Sequence, residues 1–352
     1  MAAYISFQPS DFFNTILYTG NGSTQSLTGV GFQPDMNWVK NRDTADNNEI
    51  CSPLIGVTQY ISPDGSSSYG SDANALTSFD ADGVSIGSWG TYNGSGNDLV
   101  MWNWKAGTTS GISGGTITPS SYSINTTSGL GMYKFTGTGS NGTIAHGLGT
   151  TPKMIWVKRY DGTANWQVQH TSLAADKVLY LNTTHGQQTE AAMFNSTHPT
   201  STVFSLGTAS ETNGSGNEYL AFAFAPIRGY SSIGSYIGNG SVNGPYVHCG
   251  FQPAMVIVKN GSSGGVAGYG WGMFDNKRST SGGTNEVDYV LHPDAAVVED
   301  TGTSSWDIDF LSNGFKVRED NAGINNNNDT FVYYAVARFP IVSSNDVAVT
   351  AR

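Results

Sequence analysis

Charge is what this chain of 352 residues has least of: Asp, Glu, Lys and Arg together make up 12%. The balance is acidic, with 27 carboxylates against 16 Lys and Arg and a net charge of −11. Nucleic-acid binding ordinarily leaves a basic face that tracks phosphates, and this composition shows none. The acidity reads instead as what keeps a charge-poor surface in solution. Cysteine is nearly missing too. Cys51 and Cys249 fall at non-equivalent places, so a disulfide framework is not expected. The six histidines (146, 170, 185, 198, 248 and 292) are scattered, whereas metal sites need close spacing. They read as loop or strand-surface residues. No apolar run approaches the roughly 18 residues of a membrane helix. The opening MAAYISFQPS lacks the basic-then-apolar order of an export signal. The expectation is a soluble chain without cofactor, metal, membrane insertion or nucleic-acid partner.

What the chain does have is glycine, 45 residues of it, with much Ser, Thr and Asn. Gly costs backbone entropy in helices, and the short polar residues compete locally for backbone hydrogen bonds, so the mixture favours short strands and turns. Aromatics at 12% and hydrophobics at 38% are too abundant for a disordered chain.

The sequence repeats itself three times. Tyr18-Thr-Gly-Asn-Gly-Ser23, Phe135-Thr-Gly-Thr-Gly-Ser140 and Tyr236-Ile-Gly-Asn-Gly-Ser241 are each followed by a proline, Pro34, Pro152 or Pro253. Six residues beyond each proline stands a lysine: Lys40, Lys158, Lys259. Each copy ends on a related segment, beginning at Asn97, Asn217 and Asn328. Within these closing segments Val100, Trp102 and Trp104 alternate with smaller or more polar residues such as Asn103. Leu220, Phe222 and Phe224 do the same, as do Val332, Tyr334 and Val336. Period two marks strands whose large side chains share one face, where they can form a core. The Gly-x-Gly segments read as turns or bulges with positive φ.

The fold class expected is all-β, a tandem array of three antiparallel β-sandwich modules, jelly-roll-like or lectin-like, each with its own core. Residues 1–106 hold an N-terminal segment and module 1, and residues 107–131 a Ser/Thr/Gly-rich linker whose Tyr122 to Asn125 could be a strand of module 2. Modules 2 and 3 take residues 132–229 and 230–352, the last with a C-terminal tail. Only Pro226 to Tyr230 separates these two, so they should pack rigidly. Met1 to Asn14 has no counterpart in the other modules and is read as a docking segment.

Catalytic motifs fail on context. Gly137-Thr-Gly-Ser-Asn-Gly142 fits the dinucleotide pattern, but that pattern works only where a strand turns into a helix. It reads as a β-turn. Gly111-Ile-Ser-Gly-Gly115 and Gly261-Ser-Ser-Gly-Gly265 fit the nucleophile-elbow pattern but lie in Gly/Ser runs. Glutamates do not recur as a pair suited to sugar hydrolysis. No catalytic residue is assigned, and the chain reads as non-enzymatic.

Binding candidates are Trp166 and Trp271, which read as core tryptophans or, more sharply, as platforms stacking on a sugar. The loops Asn93 to Asp98, Asn213 to Glu218 and Asn325 to Asp329 could hydrogen-bond sugar hydroxyls or simply turn the chain. The repeated lysines read as solvated caps guarding a sheet edge.

These residues resemble a known family. The run from "YTGNGS" through "GFQP" and "WVKNRD" to "NGSGNDLVMWNWKAG", with "FTGTGS…AHGLGTTPKMIWVK" and "SNGFKVR…TFVYYAVARFP", is similar to repeated domains in virion proteins of marine and cyanobacterial tailed phages. The resemblance runs from about Tyr4 to Pro340. It implies a non-enzymatic virion protein on the particle surface, made in the host cytoplasm, within a tail fibre or host-attachment appendage. The expected partners are other virion proteins, a host surface glycan and copies of itself in a homo-oligomer. A trimer would bury outward apolar sheet faces between subunits. The alternative is a head decoration or tail accessory protein with a purely architectural role, and a third is a polysaccharide-degrading enzyme.

Overall fold

The computed structural model describes residues 5–262, 270–279, 285–302 and 306–339. It is all-β, with several antiparallel sheets. The same order of strands occurs in each of the three copies. In the first, the opening strand Phe13–Thr19 pairs with the closing strand Asp98–Trp104. The closing strand pairs in turn with the lysine strand Met36–Asn41, and that with the short strand Glu49–Cys51. Leu130–Thr136, Glu218–Phe224, Met154–Arg159 and Gln167–His170 repeat this order, and so do Ser231–Ile237, Thr330–Phe339, Gln252–Asn260 and Trp271–Asp275. Tyr122 to Asn125 do lie in a strand, Ser121–Asn125, which extends the second copy's sheet beside its opening strand.

A smaller sheet covers one face of each four-strand unit. Leu27, Val84 and Ile86 pack on Val39, Leu99 and Met101 in the first copy, and Ile144, Phe204 and Leu206 on Ile155, Val157 and Tyr219 in the second. In the third, Val247, Phe315 and Val317 meet Val256, Val258 and Phe331.

The other face carries the largest side chains, and here the expectation of separate cores needs correcting. Val100, Trp102, Trp104, Leu220, Phe222, Phe224, Val332, Tyr334 and Val336 do not line three private cores. With Trp38, Trp156 and Ile257 from the lysine strands they form one cluster common to all three copies. Trp38 and Trp156 meet edge-on at 6.2 Å across the first two copies, and Phe224 and Tyr334 lie 5.1 Å apart across the second and third. Period two fixes which side chains share a face; it does not say what covers that face. The positions read as smaller and more polar (Ala221, Ala223, Ala335) line the cores beneath the small sheets. Each large sheet is therefore buried on both sides. The lysine strand Met36–Asn41 has no exposed residue at all.

The N-terminal residues also join this core. Ile5 and Phe13 are members of the central cluster. Phe7 and Phe12 pack on the ring of Tyr230 with centroid distances of 5.6 and 6.3 Å. Met1 to Tyr4 and the tail from residue 340 lie outside the described residues.

A shared core makes the copies interdependent. Trp156→Ala should lower stability by about 3–5 kcal/mol. Calorimetry should show the whole chain melting in one transition, both before and after the substitution. Three separate transitions would contradict a common core.

Candidate functional site

The signature residues converge on one repeated piece of local structure, in which a loop is held by a buried asparagine. A single-turn helix precedes each closing strand (Gly90–Asn93, Ser210–Asn213, Ala322–Asn325). Its last residue, Asn93, Asn213 or Asn325, is fully buried. The Oδ1 of each accepts from the backbone N–H of Asn21, Thr138 or Asn239 at 2.8 Å in all three copies. Nδ2 donates to Gly87, Gly207 or Glu319 O, again at 2.8 Å. It also donates to the carbonyl of Ser23, Ser140 or Ser241. The amide thus bridges the Gly-x-Gly-Ser turn to the strand end ahead of the helix.

The two glycines of each turn serve different needs. A Cβ on the first would sit 2.2 Å from Gly94 O, 2.3 Å from Gly214 O or 2.1 Å from Asn326 O, inside contact distance with fixed backbone. The second has φ of +67°, +71° and +60° in Gly22, Gly139 and Gly240, which L-residues with a Cβ rarely adopt. Gly137 to Gly142 therefore lead into the strand Gly142–Ala145 and not into a helix. These asparagines are structural, which answers the choice between sugar contact and turn for the first residue of each loop. Of the nucleophile-elbow matches, Ser113 lies in an exposed loop with no helix after it, and Ser263 and Gly265 lie outside the described residues.

The repeated lysines are not solvated caps. Lys40, Lys158 and Lys259 are fully buried. Their ammonium groups are held by backbone carbonyls: Lys40 by Asn41 and by Thr44 at 2.9 Å, and Lys158 by Ser66 at 2.9 Å and Ala164 at 2.7 Å. Lys259 donates to Thr183 at 3.1 Å. Burial pushes all three down to about 8. A lysine two residues from a strand end looks like an edge guard in sequence, and only tertiary packing reveals the neighbouring copy over it. Two histidines expected at the surface are likewise interior. His146 is buried with its ring against Thr200 O, and His170 is buried and pushed by desolvation down to about 4.

Lys158 and Lys259 reach into the preceding copy, and other contacts take the same route. The Trp166 indole N–H donates to Ser62 O at 2.9 Å, second copy to first. The Trp271 indole donates to Tyr180 O at 2.9 Å, third copy to second. Asn48 of the first copy donates to His292 O of the third at 3.1 Å. The first copy's Tyr69 N–H donates to Tyr160 O, Gln187 of the second to Gly261 O, and Glu299 of the third to Arg42 O, at 3.0, 3.4 and 2.8 Å. Each of those acceptors stands two residues beyond a repeated lysine. The pattern is cyclic, and the three copies close on one another.

Trp166 and Trp271 thus occupy matching places at two seams. At 0% and 2% exposure they present no ring face to solvent, so the sugar-platform reading finds no support in their placement. Trp166 packs on Phe222 at 6.0 Å.

The seam between third and first copies is the one that no linker spans, and it is the one that carries charge. Arg278, fully buried, pairs with Asp275 at 2.6 Å and Glu299 at 2.7 Å, and Arg42 of the first copy pairs with Glu299 at 2.6 Å. The Trp102 indole donates to Asp275 at 2.9 Å, and its ring lies 5.3 Å from the Arg278 guanidinium. The two carboxylates hold the guanidinium pKa above its ordinary value although burial opposes them. Such a network locks geometry. Among the described residues no group of three His, Cys, Asp or Glu is placed to hold a metal ion. Cys51 and Cys249 are both free thiols, and burial pushes each up to about 12.

The model of a protein family described as a domain of unknown function (DUF7483) matches residues 8–340. The chain belongs to the DUF7483 family. The match takes in all three copies as one unit, in keeping with their common core. No curated protein matches the DUF7483 chain.

Two outcomes follow from the buried polar groups. Glu299→Ala leaves Arg42 and Arg278 short of a partner and should cost about 3–5 kcal/mol in urea unfolding. A change under 1 kcal/mol would mean that the seam does not depend on the network. The lysines set a pH dependence. Their folded pKa lies below the unfolded value, so between about pH 8 and 10 the unfolded chain binds more protons and stability rises with pH. The two thiols, raised on folding, act in the opposite sense from about pH 9. The contrast with a triple Lys→Met variant isolates the lysines: wild-type melting temperature should gain on the variant from pH 8 to 10, and parallel curves would refute the assignment.

Proposed function

We propose that this chain is a non-enzymatic structural protein of a tailed-phage particle. In this reading it forms part of a tail fibre or comparable host-attachment appendage at the particle surface. It is built as three β-sandwich modules of jelly-roll-like or lectin-like type. The observation that carries the proposal is the cyclic set of seams. The residues that repeat most regularly in the sequence, namely the turn glycines, the helix-ending asparagines and the strand lysines, are all engaged in holding loops and copies together. A protein whose recurring polar residues serve architecture suits a particle component better than a catalyst.

The resemblance to phage virion repeat domains points the same way, and so does the arrangement itself. Phage fibres are usually trimers, and three sheets around a common core give one chain a three-fold character without further copies. The apolar faces that were expected to be buried between three subunits are covered within the chain. The proposed partners are therefore other virion proteins and a host surface glycan, with no further copies required to cover those faces.

Immunogold labelling of purified particles with antibody to the recombinant chain tests this. Label at the tail or its appendages is the expected result. Label over the head would replace attachment with decoration, and absence from particles would overturn the virion reading. Clearing of a capsular polysaccharide layer by the purified chain would overturn the non-enzymatic assignment.

A further inference from the structure

The closed arrangement leaves hollows at its seams, and two of them occupy matching positions. One, between the first and second copies, is lined by Asp35, Pro53, Leu54 and the strand residues Ser121 to Ser123. The other, between the third and first copies, has a volume of about 310 Å³, at the lower end for small-ligand sites. Gln8, Asn14 and Thr15 line it from the first copy, and Asn276, Lys277 and Arg338 from the third. Ala254 stands where the first hollow has Asp35, each directly after the repeated proline, and Lys277 stands where it has Leu54.

The chemistry of the second hollow is unusual for this chain. With 27 acidic residues against 16 Lys and Arg overall, it gathers two cations and no carboxylate. The nearest acid in sequence, Asp11, accepts from the Gln8 N–H at 3.0 Å and does not line it. Thr15 is 4% exposed, and its hydroxyl has no hydrogen-bond partner. A buried hydroxyl is costly to leave unmatched, so one facing a hollow fits a ligand group that completes it.

From this we infer that the hollow between the third and first copies binds an acidic saccharide, a sugar bearing a carboxylate or a phosphate. Lys277 and Arg338 take the anion, and Asn14, Asn276, Gln8 and the Thr15 hydroxyl meet the ring hydroxyls. Amide side chains both donate and accept, which matches the mixed needs of a polyol better than those of a bare ion. The repeat supplies the shape of the hollow at both seams, whereas the charge belongs to this one. The inference rests on the attachment reading only for the biological source of the ligand. Binding is measured on the isolated chain and particle location on virions, so either can fail alone.

The test is calorimetric titration of the full-length chain with four probes: a glucuronate-containing disaccharide, glucose 6-phosphate, maltose and inorganic phosphate. At least one acidic sugar should bind tighter than maltose and inorganic phosphate by about tenfold or more, the scale of one charge-assisted contact. Which of the two binds distinguishes a uronate-bearing from a phosphate-bearing source. Lys277→Gln, at an exposed position, should weaken that binding by about tenfold with an unchanged melting temperature. Ala254→Asp, which imports the carboxylate of the sister hollow, should abolish it; should that variant unfold by circular dichroism, Lys277→Gln decides alone. Equal binding of maltose would overturn the inference, as would inorganic phosphate binding as tightly as the sugars, no binding of either acidic sugar, or an unchanged Lys277→Gln.

Discussion

The structure depends on the need to cover the large-residue face of each four-strand sheet. Trp38, Trp102 and Trp104 on the first sheet, Trp156, Phe222 and Phe224 on the second, and Ile257, Tyr334 and Val336 on the third offer far more apolar surface than one small sheet could shield, and the small sheets lie on the other side. Each face is covered by the other two. A linear array of repeats leaves each unit touching only its neighbours, with stability summed along the chain. Here the third copy returns to the first, and removing any copy would expose the large faces of both others.

Burial on both sides explains where the polar residues have gone. Taking a lysine or arginine out of water is expensive, and a buried charge is tolerated only with hydrogen bonds or partners to satisfy it. The chain has few charges and places several of them in the seams. The first two seams join copies already tied by the chain, and neutral indole and carbonyl contacts serve there, with one lysine at each. The third has no covalent tie. It carries Arg42, Glu299, Arg278 and Asp275, whose directional contacts set the register between strands far apart in sequence. Buried asparagines do the equivalent work within each copy.

With the repeated residues committed to architecture, chemistry that differs between copies is left for recognition. The two matching hollows show this. Their walls come from the same strand ends, yet one has Asp35 and serine hydroxyls and the other Lys277 and Arg338. Divergence on a repeated scaffold can thus give one chain different contact chemistries at equivalent places.

The sequence by itself determined the all-β class, the three copies and the alternation that puts Trp102 with Trp104 and Phe222 with Phe224, because strand periodicity and turn chemistry are local. The glycines were legible for the same reason: a turn that needs positive φ, or admits no Cβ, leaves its mark at fixed offsets. Which face met which was not legible. Alternation sorts side chains into two sets and is silent on what lies opposite each, so the set read as three private cores became a common one. The lysines at 40, 158 and 259 and the indoles at 166 and 271 were misjudged or left open because their surroundings come from another copy, about a hundred residues away. Only the return of the third copy onto the first decided those surroundings, and with them the buried ion network and the hollows at the seams.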